Sequence, residues 1–251
     1  MAGNRSHARI AVIGGSGFYA FPDLEQAKAR RVRTPYADVH GLVVGMLNGI
    51  EVVFLARHGD GHRLPPHKVN YRANIWALRE LGVSKVIALN AVGGISENMS
   101  PRAYVVPDQI IDYTYGREHT FADLVSEEIN HVDFTEPFSS GLREAILTAA
   151  GEEGIPCVPH GVYGCTQGPR LETAAEIRRL ANDGCDIVGM TAMPEAGLAR
   201  ELGLHYASIS LVVNWGAGIS ADKILLDEIH AILGESNADL RKWLVRCLTY
   251  V

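Results

Sequence analysis

The 251 residues are enough for one sizeable core, and 47% hydrophobic with 21% charged residues is the make-up of a soluble globular chain, which excludes extensive disorder. A formal net charge of −6 offers no basic footprint for nucleic acid, and no stretch approaches the roughly 20 apolar residues of a membrane helix. One domain over residues 1–251 is expected, with a flexible start at 1–8 that lacks the apolar centre of a signal peptide, and hence a cytoplasmic location.

Taken in order, Arg9 to Ile13 is a short apolar run ending in Gly14-Gly15-Ser16-Gly17, a buried strand opening into a tight turn. Leu42 to Leu47 and Glu51 to Leu55 flank Asn48-Gly49, the signature of a hairpin, so antiparallel strands are predicted. A Pro-, His- and Gly-rich loop spans Arg57 to Lys68. Tyr71 to Leu81 then has helical spacing of Ile75 and Leu78, with Gly82 as its stop. Lys85 to Asn90 reads as a strand that gives way to a second glycine turn at Ala91-Val92-Gly93-Gly94. Further strands are predicted at Gly161 to Thr166, Asp186 to Gly189 and Leu204 to Val213, with helices at Leu171 to Ala181 and Pro194 to Leu202. The stretch from Asp222 to Thr249 suits one helix or a pair broken at Gly234. Strands alternating with helices, plus a hairpin, predict a single α/β sandwich of three layers around a mixed, partly antiparallel sheet.

The motifs exclude several chemistries. Gly14 to Phe18 does not complete a dinucleotide fingerprint, since the sixth position from Gly15 is Ala20, nor a serine-hydrolase elbow, since Phe18 replaces the last glycine. What remains is a turn of backbone N–H groups and the Ser16 hydroxyl, either a plain turn or an anion nest. His58, His62 and His67 lack the spacing and acidic or thiolate support of a standard metal set, so no metal is expected. Arg57, directly after an apolar strand, is placed to grip an oxyanion. Cys157, Cys165, Cys185 and Cys247 form no C-x-x-C pair and read as small buried hydrophobes.

Four blocks, GGSGF at Gly14 to Phe18, LARHG through NYRANIWAL at Leu55 to Leu78, NAVGG at Asn90 to Gly94, and GPRLETAAEI with GMTAMPEA at Gly168 to Ala196, follow in the order found in trimeric purine nucleoside phosphorylases and methylthioadenosine phosphorylases. The chain resembles that family from Ile10 to about Leu226. The resemblance implies a homotrimer, or a dimer of trimers, with interfacial active sites, orthophosphate as cosubstrate and no cofactor. It assigns phosphate to Ser16, Arg57, His58, Ala91 and Thr191, with Asn90 beside it, and ribose to Met190 and Tyr163. Glu195 joins the sugar and phosphate neighbourhood. His131 is expected to reach the 5′ end of a neighbouring subunit's substrate.

At the base the chain departs from the adenine-reading branch. That branch carries aspartates where this chain has Asn214 and Gly216, and a small hydroxyl residue in place of Glu172. Leu171 and Gly93 complete the base walls. A carboxamide that donates and a carboxylate that accepts N1–H complement a 6-oxopurine, whereas adenine has an unprotonated N1. A gapped alignment places Ala221 and Ile224 at the 5′ end, where both suit a thioether. The expected reaction is therefore phosphorolysis of methylthioinosine. Alternatives are a general inosine and guanosine phosphorylase, a methylthioadenosine phosphorylase, a hydrolytic nucleosidase, and a non-catalytic nucleotide- or phosphate-binding regulator.

Overall fold

The computed structural model describes residues 9–59, 61, 63–122, 131–221 and 223–251. Residues 1–8, expected to be flexible, lie outside them, as do Asp60 and His62 of the histidine-rich loop. The first half of the chain forms β1 (Arg9–Gly14), β2 (Glu25–Thr34), β3 (Ala37–Leu47), β4 (Ile50–Ala56), α1 (Tyr71–Glu80), β5 (Val83–Gly94), β6 (Tyr104–Val105) and β7 (Gln109–Asp112). The second half adds α2 (Ser140–Glu153), β8 (Cys157–Val158), β9 (Val162–Cys165), α3 (Ala174–Asn182), β10 (Ile187–Gly189), α4 (Ala192–Glu201), β11 (His205–Trp215) and α5 (Leu226–Cys247). No helix among the described residues is long and apolar enough to cross a membrane.

The central strands are apolar at nearly every position because both faces are covered. Ile10 and Val12 of β1, Phe54 of β4, Ile87 and Leu89 of β5 and Ile209 and Leu211 of β11 pack with Leu240, Trp243 and Leu244 of α5 and Leu142 and Ile146 of α2. The alternate residues Ala11, Ile13, Val53, Leu55, Val86, Ala88 and Tyr206 face the other way, onto Ile75 and Leu78 of α1 and Ala196 and Leu198 of α4. Helices thus lie on both sides of one mixed sheet, the three-layer α/β sandwich expected. The sheet runs β2-β3-β4-β1-β5-β10-β9-β7, with β11 on β5 and β6 on β11.

Two details differ from the sequence reading, the course of β5 and the start of α3, and two settle what it left open or agree with it, the continuity of α5 and the extended Met193 before Pro194. β5 does not turn at its glycines but runs through Ala91-Val92-Gly93-Gly94, because β11 and β10 pair with it as far as Gly94; Gly94 itself lies against the Met99 carbonyl, where a Cβ would come within 1.8 Å. α5 is continuous through Gly234, its buried face carrying Ile232, Leu233 and Leu240 past that residue. α3 begins at Ala174, where Thr173 and Glu176 form a capping box, so Leu171 and Glu172 precede the helix. Met193 is extended (φ −116°, ψ 138°) within the span of α4.

Candidate active site

The site arises from how two strands share one edge of β5. β11 occupies the other edge along its length, from Lys85 to Gly94. On the free edge β1 runs parallel to β5 and stops with Ile13 opposite Ala88, while β10 runs antiparallel from the far end, with Val188 opposite Gly93. The two strands therefore approach head to head and leave β5 open between Leu89 and Val92. Their outgoing chains, Gly15-Ser16 and Met190-Thr191, diverge around that opening. A cavity of about 410 Å³ fills it, large enough for a nucleoside-sized ligand.

One end of the cavity is cationic and rich in hydroxyls. It is lined by Gly15, Ser16, Arg57, His58, Asn90, Ala91 and Thr191. Arg57 is 1% exposed, and its Nε and Nη2 each donate at 2.8 Å to one oxygen of Glu195, while Nη1 donates to the Leu89 carbonyl at 3.0 Å. Three of the five guanidinium N–H bonds make these contacts, which leaves two for other acceptors. Burial alone would lower the Arg57 pKa, but the Glu195 charge and hydrogen bonds outweigh it and hold the group above its ordinary value. The bidentate grip expected on an oxyanion is thus made on Glu195. The guanidinium is a fixed cation, locked by a carboxylate behind it.

Polarity of the hydrogen bonds directs the hydroxyl of Thr191. Ser208 Oγ donates to Asn90 Oδ1 at 2.7 Å, and Asn90 Nδ2 donates to Thr191 Oγ1 at 2.7 Å. Thr191 therefore accepts from Asn90, and that bond leaves its own proton available to donate. Asn90, with Val86 and Ala88, stands on the face of β5 that meets α4, which is why it reaches the start of that helix. His58 Nδ1 lies 2.7 Å from the Leu64 carbonyl, so that nitrogen carries the proton and the ring is held in place.

The other end is lined by Gly93, Pro169, Leu171, Glu172, Val188, Met190, Asn214, Ala217, Ile224 and Ile229. Asn214 reaches it through a bulge: Val212 pairs with Val92 and Asn214 with Gly93, so Val213 is the extra residue that re-aims the next side chain. Gly93 gives that carboxamide room, since a Cβ there would meet Val188 Cγ1 at 3.1 Å and Asn214 Nδ2 at 3.4 Å. Asn214 Nδ2 donates to the Trp215 carbonyl at 2.7 Å, which spends one of its two N–H bonds. Glu172 accepts from Thr166 Oγ1 at 2.6 Å.

Three residues expected at this chain's own site, Tyr163, Glu195 and Ala221, do not line the cavity. Tyr163 is fully buried in the core under the strand end, where a Cβ on Gly189 would come 2.0 Å from its hydroxyl; the β9–β10 register places it beneath the floor. Glu195, 1% exposed, lies behind Arg57 and also accepts from Tyr206 at 2.8 Å, so it positions the arginine. Burial and the Glu195 charge push the Tyr206 phenol well above its ordinary range. Ala221 is exposed, and Ile224 and Ile229 stand in the wall instead. His131, expected to serve a neighbouring subunit, is exposed on its own chain.

Sequence reading missed Arg117, which carries no motif. Its guanidinium donates to the carbonyls of Met190 at 2.9 Å, Met193 at 2.6 Å, Thr166 at 3.2 Å and Gln167 at 2.8 Å, and it sits 5.5 Å over the Tyr71 ring. It ties together the chain segments that leave β9 and β10. A single arginine in a loop gives no sequence signal for such a role.

The strand ends of this α/β sandwich enclose a fixed arginine and hydroxyls at one end, and an amide and a carboxylate at the other, groups able to hold an anion beside an organic ligand. The match of the family described as the phosphorylase superfamily extends over residues 9–249. The chain belongs to that family. It is 54% identical over 222 residues to a probable S-methyl-5′-thioinosine phosphorylase of Xanthomonas campestris, covering 88% of this chain and 89% of the relative. It is 48% identical over 250 residues to the 6-oxopurine nucleoside phosphorylase of Pyrococcus furiosus, covering 97% and 93%. Among solved structures, methylthioadenosine phosphorylase from Schistosoma mansoni in complex with adenine matches with a TM-score of 0.90 at 34% identity, over 96% of this chain and 91% of that one.

Proposed function

We propose that this enzyme cleaves the N-glycosidic bond of S-methyl-5′-thioinosine with orthophosphate, giving hypoxanthine and 5-methylthioribose 1-phosphate. The observation that carries the reading is Glu172 and Asn214 in the wall of one cavity whose opposite end holds Arg57, Ser16 and Thr191. The second N–H of Asn214 would donate to N7 of the leaving purine, and Glu172 would accept N1–H, the pairing that a 6-oxopurine offers and adenine does not. Leu171 and Gly93 would flank the ring. Ile224 and Ile229 add apolar wall, which suits a methylthio group.

In this reading the bond from C1′ to the purine breaks first, its electron pair moving to the base, and an oxygen of hydrogen phosphate then attacks the oxocarbenium-like carbon, the proton that the phosphate gives up ending on the base to make neutral hypoxanthine. Arg57, Ser16, His58 and the Thr191 hydroxyl would hold the phosphate, with Ala91 at close backbone approach, and Met190 would serve the ribose. Asn214 would stabilise the charge that builds on the purine, an interaction of the transition state worth about 3 kcal/mol in comparable cases. Orthophosphate is a cosubstrate and no cofactor enters. We further propose a homotrimer in which the partner subunit's His131 completes the 5′ end, acting in the cytoplasm.

A second reading, a general 6-oxopurine nucleoside phosphorylase, is favoured by the Pyrococcus furiosus relative and by the exposure of Ala221. Base release from methylthioinosine, inosine and methylthioadenosine, measured with and without phosphate, tests both. The proposal expects phosphate-dependent release, fastest from methylthioinosine. Equal or faster release from inosine supports the second reading; release without phosphate indicates a nucleosidase, and none from any substrate a binding protein.

A further inference from the structure

Thr166 stands outside every motif block that drew attention to the site, yet it makes the direct contact to Glu172. We propose that Thr166 is a specificity-determining residue: its hydroxyl tethers the Glu172 carboxylate in the orientation that accepts a purine N1–H, an inference that rests on the base assignment above.

The backbone of Thr166 is held on both sides. Its N–H donates to the Gly189 carbonyl at 2.8 Å, and its own carbonyl accepts from Arg117 at 3.2 Å. From this anchored position Oγ1 reaches two acceptors, Glu172 Oε1 at 2.6 Å and the Gly189 carbonyl at 3.3 Å. A hydroxyl has one proton to give, and the shorter contact to the charged oxygen takes it. One carboxylate oxygen is thereby engaged, and the other is left as an acceptor.

Glu172 needs such a tether because of where it stands. It precedes α3, is half-buried, and lines two cavities at once. The second, of about 520 Å³, is walled in part by Arg170 and Arg179. A glutamate has a long side chain with ample rotamer freedom, and two guanidinium groups on the far side offer it an alternative partner. Arg170 is already gripped by Glu176 at 2.7 and 2.8 Å, and Arg179 faces Asp183 at 3.7 Å, which weakens the pull. Thr166 lines the second cavity and not the first, so it holds Oε1 on that side and leaves the other oxygen to face the substrate cavity, a fixed direction that these pairings do not supply. Adenine has no N1 proton for that oxygen to accept, so the tether acts on discrimination between bases and not on binding in general.

The test is kcat/KM for methylthioinosine and methylthioadenosine, with saturating phosphate, in the wild type, Thr166→Val and Thr166→Ser. Valine keeps the shape and removes the donor; serine keeps the donor. Thr166→Val should lose about tenfold on methylthioinosine and far less on methylthioadenosine, as expected for one hydrogen bond to a charged group, and Thr166→Ser should restore most of the preference. A wild type that does not prefer methylthioinosine refutes the base assignment. A wild type that does, with the preference unchanged in Thr166→Val or with both substrates losing equally, refutes the tether alone. Thr166→Ala is read by the same criterion if the valine variant does not fold.

Discussion

Replacing Glu195 by Gln separates a positioning role from a chemical one. Arg57 and Glu195 are each 1% exposed and share two contacts at 2.8 Å, with Tyr206 donating to the same carboxylate. Glutamine keeps one acceptor oxygen, but its NH2 group faces donors and the arginine charge loses its counter-charge. Leaving one partner of a buried pair unmatched costs about 3–5 kcal/mol, which for a chain of this size lowers Tm by about 10 °C. Calorimetry without phosphate measures that loss. Because Glu195 acts through Arg57, phosphate-saturation kinetics should show a raised KM for phosphate, and Glu195→Gln added to Arg57→Met should do little further harm, since neighbours that act as a unit are not additive. Part of the lost Tm should return in that double variant, where no buried charge is stranded. A Tm within 2 °C of wild type for Glu195→Gln, or additive kinetic losses in the double variant, would refute the reasoning.

Asn214→Asp places an acceptor where the proposed site donates to N7; it should lower kcat/KM on methylthioinosine by about 100-fold and raise relative activity on methylthioadenosine, and unchanged ratios would count against Asn214 as base reader. Arg117→Met removes the donor to four carbonyls while keeping the stem, so KM for the nucleoside should rise and Tm should fall by several degrees; a variant with wild-type kinetics would show that the strand ends hold without it. Burial pushes the thiols of Cys165 and Cys247 each up to about 12. The folded chain keeps these protons where the unfolded chain has released them. Stability is therefore intact below about pH 9 and declines as pH rises toward 12, and a Tm that stays flat from pH 8 to 11 would contradict this.

The strands of the core were legible because burial on both faces writes them as unbroken apolar runs, and the hairpin because Asn48-Gly49 supplies the two positive or permissive φ angles its turn needs (49° and 77°). β2 left no such trace. Its residues Glu25 to Thr34 are almost all exposed and carry Lys28, Arg30, Arg31 and Arg33, the charged pattern that blunts an edge strand and erases hydrophobic alternation. α2 was also silent: its buried face is Leu142, Ala145, Ile146, Ala149 and Ala150, too small-sided to stand out. Within the site, Arg57, Asn90, Thr191 and Asn214 were found from strand ends and family blocks. The placement of Tyr163 and Glu195 behind the cavity was hidden, because facing is decided by register between strands and helices distant in sequence.

The head-to-head arrangement of β1 and β10 explains why both halves of the chain are needed for one site. Ser16 and Arg57 come from β1 and β4, Thr191 and Glu195 from the exit of β10, and the gap in the β5 edge lies between the two sets. Two buried contacts cross it: Asn90 to Thr191 at 2.7 Å and Arg57 to Glu195 at 2.8 Å. Each uses a side chain from the first half to fix one from the second, so the end proposed to hold phosphate is braced before any ligand arrives. The end proposed to hold the base has a different support, the Val213 bulge and the segment preceding α3, and touches neither of those contacts. Changes at Asn214 or Glu172 should therefore alter which base is accepted while leaving KM for phosphate nearly as it was, whereas changes at Asn90 or Glu195 should act on phosphate with every nucleoside alike.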